Sequence, residues 1–310
     1  MFMKTYILIS ALFFLLLTSS NLNSQTAEEY FKMGYKEDMA GNYEKAVEYY
    51  TESLKLAPES AVAFYNRGKV YALGLKNYKA AFQDFTKAIE INPSFAEAYC
   101  NRGLTLDKLK EYNSAITDYT KALEINPNLI QAYNGRGYAF YNLKKYQESI
   151  PDFSKAIQID PDFILAYYGR GNTYEKLEEY SNALADFNKI IELDPDKYAA
   201  YLHRGKVYHS GFKEYQKAIS DFTKAIEIYP DYFDAFYFRA ATKTTLEDYN
   251  GAVNDYTKAI EINPDSDISY LFRGKCYLSL GENAKACSDW NKAKSLGEED
   301  AGDLINKHCK

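Results

Sequence analysis

With 310 residues, 46% hydrophobic and 26% charged, the chain has apolar content enough for one large or two ordinary globular domains. A formal net charge of -6 gives no electrostatic footprint for a phosphate backbone, so nucleic acid is not an expected partner. Tyrosine is abundant, at 31 against a single tryptophan, which suits packed helices and an aromatic binding face equally.

The chain opens with Lys4, an apolar run from Tyr6 to Leu17, and small and polar residues from Thr18 to Gln25. The run is about 12 residues, short of the roughly 20 that a membrane-crossing helix needs, and its flanks follow the order of a secretory signal. Residues 1–24 are therefore expected to be a signal peptide, cleaved after Ser24, that exports the protein to a periplasm or beyond. The alternative is an uncleaved N-terminal membrane anchor. No transmembrane segment is expected after cleavage.

From residue 27 the sequence repeats eight times, over 27–60, 61–95, 96–129, 130–163, 164–197, 198–232, 233–266 and 267–298. Counting from Ala96 in the third repeat, position 4 is always aromatic: Tyr30, Phe64, Tyr99, Tyr133, Tyr167, Tyr201, Phe236 and Tyr270. Position 8 is glycine, replaced once by Ala240, and position 20 is alanine, replaced once by Ser149. These small positions let two helices approach. Position 24 is large, from Tyr50 through Phe153 to Trp290, and fills the space beside them. Position 32 is proline in every repeat but the last, which ends a helix there.

The apolar spacing between these marks predicts two helices of about 13 residues per repeat, joined by polar turns such as LKEY and LKKY. The second and sixth repeats carry one extra residue, in LGLKNY and SGFKEY, expected to bulge the turn between helices. Pro151 is expected in the first turn of its helix, where a missing N–H loses no partner. Residues 299–310, with Ala301, Leu304 and Ile305 on one face, predict a helix that caps the last repeat.

The order aromatic, glycine, alanine, aromatic, proline at a period of about 34 resembles the tetratricopeptide repeat. The resemblance covers residues 27–298 and implies an all-α fold, a right-handed superhelical solenoid of antiparallel helix pairs. It also implies a concave groove, lined by positions 2, 5, 9, 12 and 13 of the first helices, that binds extended peptides. On positions 5 and 9 the candidate groove residues are Phe31, Tyr35, Tyr65, Lys69, Cys100, Leu104, Asn134, Tyr138, Tyr168, Asn172, Lys206, Tyr237 and Lys275. Aromatics there offer stackable area and lysines meet carboxylates. The basic clamp of chaperone-binding members is not reproduced.

Seven repeats carry Arg at position 7 and Asp at position 23, including Arg102 with Asp118, Arg136 with Asp152 and Arg170 with Asp186. The first repeat has Met33 and Tyr49 instead, so both partners vanish together. That favours a structural bridge within each repeat over a ladder of arginines for anions.

Four cysteines, Cys100, Cys276, Cys287 and Cys309, leave three readings open in an exported protein. Chain reversal near Glu298 sets Cys287 level with Cys309, the expected disulfide; Cys276 with Cys287 is the rival pair, and four buried thiols the third reading. His203 and His209 are six apart, not at metal-binding helical spacing, and each is expected to be a satisfied surface histidine. No phosphate loop, zinc pattern or nucleophile elbow is present, so no enzyme, catalytic residue, cofactor or metal is expected. The function expected is an exported protein–protein interaction scaffold that holds a protein or extended peptide in its groove. The alternative is glycan or cell-wall binding, with Tyr65, Tyr168 and Tyr237 as sugar-stacking platforms.

Overall fold

A computed structural model describes residues 25–309; the expected signal peptide, residues 1–24, lies outside the described residues. The chain forms two compact units, one ending at Gly135 and one beginning at Arg136. In the first, α1 (Ala27–Met39) pairs with α2 (Tyr43–Leu56), α3 (Ala61–Lys69) with α4 (Tyr78–Ile91), and α5 (Ala96–Lys108) with α6 (Tyr112–Ile125). Then α7 (Ile130–Asn142) runs across the boundary, followed by α8 (Tyr146–Ile159). The second unit continues with α9 (Ile164–Lys176) and α10 (Tyr180–Leu193), then α11 (Tyr198–Val207) and α12 (Tyr215–Ile228). The pairs α13 (Phe233–Thr245) with α14 (Tyr249–Ile262) and α15 (Asp267–Ser279) with α16 (Asn283–Leu296) follow, and α17 (Asp300–His308) ends the chain. The fold class is thus all-α, a solenoid of consecutive helix pairs, with no strand among the described residues.

The recurrent small and large positions form the core. Every position-24 ring, from Tyr50 to Trp290, is fully buried, and so is every position-20 residue. A Cβ added at Gly103 would sit 2.8 Å from the Tyr119 ring, and one at Gly137 2.8 Å from Phe153, so the glycine is the socket for the ring of its own repeat. Ser149 replaces alanine without leaving a buried hydroxyl unpaired, because its Oγ donates to the Tyr146 carbonyl at 2.8 Å.

The Arg–Asp pairs are buried two-pronged bridges. In the third repeat Arg102 Nε donates to Asp118 Oδ2 at 2.7 Å and Nη2 to Oδ1 at 2.8 Å; Arg136 with Asp152 and Arg170 with Asp186 repeat the geometry. Two further links are invisible in the pairing itself. The third guanidinium nitrogen reaches back to position 25 of the preceding repeat: Arg67 to Thr51 at 2.9 Å, Arg170 to Ser154 at 3.0 Å, Arg204 to Asn188 at 2.8 Å. Each of these cations also lies over its position-4 ring, as Arg67 does over Phe64 and Arg204 over Tyr201, at 5.6 and 5.4 Å. One arginine thereby joins the two helices of its repeat and the repeat before it.

The turns also have a physical logic. In the third repeat Lys110 takes a left-handed φ of 63°, its N–H bonds the Asp107 carbonyl, and the Glu111 N–H bonds the Leu106 carbonyl. That is the Schellman arrangement, normally closed by glycine, and here lysine or glutamate carries it in four turns, at Lys110, Lys144, Glu178 and Glu247. At the other end of five repeats, the Asn or Asp before proline folds back on the chain: Asn92 Oδ1 accepts the Ser94 N–H at 3.1 Å and Asp160 Oδ1 that of Asp162 at 3.0 Å, with Asn126, Asp194 and Asn263 alike.

Two expectations need correction. The extra residue of repeats two and six is absorbed not in the turn but in a π-helical turn that ends the first helix, Val70–Gly74 and Tyr208–Phe212. The wider turn presses on the preceding repeat, and only glycine fits: a Cβ at Gly74 would lie 2.4 Å from the Tyr43 ring, and one at Gly211 2.4 Å from Tyr180. Pro151, in turn, lies in the second turn of α8 rather than its first. The Schellman closure, with Lys145 N–H on the Phe140 carbonyl at 2.9 Å, leaves so short a connection that the helix already begins at Tyr146.

The last helix, α17, lays Ala301, Leu304 and Ile305 on the cluster around Trp290 and Leu271. Cys309 at its end is disulfide-bonded to Cys287 on α16, with Cα atoms 5.6 Å apart. Cys276 is therefore not its rival's partner: it is a buried thiol 3.4 Å from Thr244 Oγ1.

Candidate functional site

In the first unit the candidate residues on α1, α3 and α5 divide by exposure. Tyr35 and Leu104 face solvent, at 49% and 39% exposure. Phe31 leans on Tyr50 at 5.4 Å, and Tyr65 is wedged between Phe85 and Phe95 at 5.9 and 4.8 Å. The Tyr65 hydroxyl accepts from Asn101 Nδ2 at 3.1 Å, and Lys69 Nζ lies 5.8 Å over its ring. Cys100 does not belong to the surface at all. It is 3% exposed, and burial, helped by the charges of Glu97 and Asp107, pushes its thiol up to about 12. Position 5 faces the neighbouring first helix closely enough that small or aliphatic residues sink into the core; Leu202 and Leu271 do the same in the second unit. Asn134 Oδ1 is buried and has no protein partner among the described residues.

Asp107, next to this surface on α5, is the most perturbed carboxyl of the unit. Burial pushes it up to about 6, against the pull of the Tyr119 hydroxyl, which donates to its Oδ2 at 2.6 Å, and of the Lys108 charge. Its Oδ1 has no protein partner among the described residues.

In the second unit the polar candidates converge. Tyr168, Asn172 and Glu175 follow one another at helical spacing on α9, and His203 and Lys206 face them from α11. Glu175 Oε1 is 3.1 Å from Lys206 Nζ and its Oε2 3.6 Å from His203 Nδ1. Burial pushes Glu175 up, but the His203 contact and the Lys206 charge outweigh it and hold the carboxyl below its ordinary range. Lys206 also lies 5.4 Å over the Phe238 ring. His203 is not a satisfied surface histidine: its ring stacks on Phe187 at 5.3 Å, and Nδ1 has no hydrogen bond of ordinary length. His209 is half-buried too, with Nδ1 3.0 Å from Thr242 Oγ1, and burial lowers its pKa.

Two further polar atoms in this cluster stay unsatisfied beside His203 Nδ1. Asn172 Oδ1 and the Tyr168 hydroxyl are buried without a protein partner among the described residues, and burial raises the Tyr168 phenol. Such groups cost about 1–3 kcal/mol each unless water or a ligand completes them. The remaining candidates flank the cluster. Tyr138 packs edge-on against Phe153 at 5.1 Å, its hydroxyl donating to the Leu165 carbonyl at 3.2 Å. Tyr237 lies among Phe238, Tyr256 and Phe272, and Lys275 is 4.7 Å over the Phe272 ring. Tyr65, Tyr168 and Tyr237 thus each pack against neighbouring rings.

Glu175 and His203 were not among the sequence candidates. Glu175 stands at position 12, one of the implied groove positions, and the row could have found it; His203 stands at position 6, outside them, and had no signal. Among the described residues no group of three or more His, Cys, Asp or Glu is placed to hold a metal ion, and no helix is long and apolar enough to cross a membrane.

Among curated proteins no relative matches the chain. Solved structures match its fold. A tetratricopeptide repeat protein from Parabacteroides merdae ATCC 43184 superposes with a TM-score of 0.62 at 21% identity, covering 81% of this chain and 99% of that one. YrrB, described as a TPR protein with an unusual peptide-binding site, gives 0.51 at 24% identity over 60% and 95% of the two chains. MamA from Desulfovibrio magneticus RS-1 gives 0.52 at 22% identity over 56% and 97%. Tetratricopeptide repeat models match residues 27–60, 96–129, 164–197, 198–232 and 233–266, and a TPR repeat model matches 75–110 and 137–178. With most of residues 27–266 matched and eight consecutive helix pairs in the fold, the chain belongs to the tetratricopeptide repeat family.

Proposed function

We propose that the protein is an exported interaction scaffold whose second unit holds an extended segment of a protein partner against α9 and α11. The observation that carries this reading is the pair of unsatisfied buried atoms, Asn172 Oδ1 and Tyr168 Oη, beside the Glu175–Lys206 pair. An extended peptide supplies backbone N–H groups at the density such acceptors need, and its carboxylate side chains suit Lys206 and Lys275. The peptide-binding description of YrrB, a protein of the same fold, is consistent with it. Export rests on the composition of residues 1–24.

The test is affinity capture from the native source with the chain lacking residues 1–24, compared with Asn172→Leu and Lys206→Glu variants, bound proteins being identified by mass spectrometry. Capture should fall in both variants. A captured set unchanged by either would end the assignment to this surface. Export is tested on the native protein, whose mass should correspond to an N-terminus at Gln25; an intact Met1 in the cytoplasmic fraction would overturn it.

A further inference from the structure

The two π-helical turns stand at equivalent places in their repeats, and one shift in numbering carries Ala72 to His209, Tyr78 to Tyr215 and Thr105 to Thr242. The chemistry at the two places differs. Beside the second turn, the His209 imidazole fills the space between helices: its Nδ1 is 3.0 Å from Thr242 Oγ1 and its ring meets Tyr215 edge-on at 5.3 Å. Thr242 spends its own proton on the Phe238 carbonyl at 2.7 Å, so the imidazole must be the donor. Beside the first turn alanine stands where histidine would, and the space is an open cleft of about 300 Å³ with Ala72, Tyr78 and Thr105 in its lining.

The empty cleft keeps the same acceptor. Thr105 Oγ1 donates to the Asn101 carbonyl at 2.8 Å, as Thr242 does to Phe238, and so presents only lone pairs. Its rim is more apolar and more basic than its counterpart's. Leu73 is 71% exposed, and Leu104 stands where the other site has Ala241. Lys76 and Lys108 also line the cleft, and Lys108 has Thr245 as its counterpart. Neither lysine is in an ion pair among the described residues.

We infer that the cleft between α3 and α5 is a docking site for a histidine side chain of a protein partner, carried in a segment with acidic residues on either side. The partner's ring takes the place that His209 takes in the second unit, donates its N–H to Thr105 Oγ1 and lies against Tyr78. Its neighbours' carboxylates meet Lys76 and Lys108, and the leucines cover the ring's outer edge. Neutral imidazole suits the pocket, because two cations at the rim oppose protonation. The inference rests on the scaffold reading but on a different surface, in the other unit, and its test uses a defined probe rather than the native partner.

The probe is a fluorescein-labelled pentapeptide, Glu-Asp-His-Asp-Glu, blocked at its C-terminus, titrated by fluorescence anisotropy with the chain lacking residues 1–24. Replacing its histidine by alanine should weaken binding by about tenfold, the loss of one hydrogen bond and the buried ring. Ala72→His in the protein should plug the cleft and abolish binding of the probe, while melting no earlier than the unchanged chain. Thr105→Val, which keeps the volume and removes the acceptor, should bring the histidine peptide down to the level of the alanine peptide, and serves if Ala72→His does not fold. Equal binding of the two peptides, or undiminished binding to either variant, overturns the inference. So does concentration-dependent self-association lost in Ala72→His, which would make a second copy the occupant. Failure of the second-unit variants in the capture experiment leaves this titration unaffected, so the two readings fail separately.

Discussion

Replacing Asp186 by alanine tests whether the Arg–Asp bridges hold the array or merely decorate it. Asp186 is 3% exposed and takes two hydrogen bonds from Arg170, at 2.9 and 2.7 Å. Truncation strands a guanidinium that keeps only Ser154 at 3.0 Å and the Tyr167 ring at 5.8 Å. Two charge-assisted bonds in a dry setting would be worth about 1.5–3 kcal/mol each, and breaking a buried pair costs about 3–5. The Arg170 side chain is still 21% accessible, so water recovers part of this and a loss of about 3 kcal/mol is expected. Adding Arg170→Met removes the stranded cation and should return at least about 1 kcal/mol. Urea unfolding followed by circular dichroism measures the total. Hydrogen exchange over residues 164–193 locates it, since repeat arrays need not unfold in one step. A single-variant loss below about 1 kcal/mol, or a double variant as unstable as the sum of the singles, would refute the reasoning.

Four further outcomes are expected. A Cβ at Gly169 would stand 2.3 Å from the Phe153 ring, so Gly169→Ala should cost about 2–3 kcal/mol in the same assay despite alanine's better helix propensity. Asp107 in the folded chain titrates near 6, above its ordinary value, so its contribution is fully favourable at low pH and is lost as pH rises through about 6. Asp107→Asn should therefore gain about 1–2 kcal/mol over the unchanged chain at pH 7.5, allowing for solvent screening, and no advantage near pH 3; thermal melts at the two pH values check it. Lys110→Gly, relieving the left-handed φ of 63°, should raise stability by about 0.5–1 kcal/mol. Cys309→Ser opens a disulfide spanning 22 residues, worth about 3 kcal/mol on loop entropy, and should show as faster exchange confined to residues 283–308.

Much of the fold is legible because each repeat restates the same packing problem. Tyr119 against Gly103 and Ala115 can be read from a single repeat, and seven others rule out coincidence. What the sequence conceals is geometry that crosses from one repeat to the next. Thr51, Thr86 and Ser154 follow the position-24 ring as plain polar residues, and nothing in their identity says that an arginine from the next repeat will reach them. The inserted residue hides for a similar reason. A turn and a helix end are neighbours in sequence, and only the press of Gly74 on Tyr43 decides which absorbs it. The site was half legible. Position 9 marks Asn172 and Lys206, but position 5 alternates between surface and core according to side-chain size, which put Cys100 on the wrong list.

The bracing is unequal along the chain. The first repeat, with Met33 and Tyr49, joins its two helices by ring contacts, Tyr30 with Tyr49 at 6.4 Å and Phe31 with Tyr50 at 5.4 Å, and by Ser53 Oγ donating to the Ala27 carbonyl at 2.7 Å, without the guanidinium clamp of the others. The last repeat has that clamp, Arg273 on Asp289, and a covalent latch besides. Under tension the molecule is therefore a zipper with a stop at one end. It should peel from α1 inward one hairpin at a time, while α16 and α17 stay fastened until the latch is reduced.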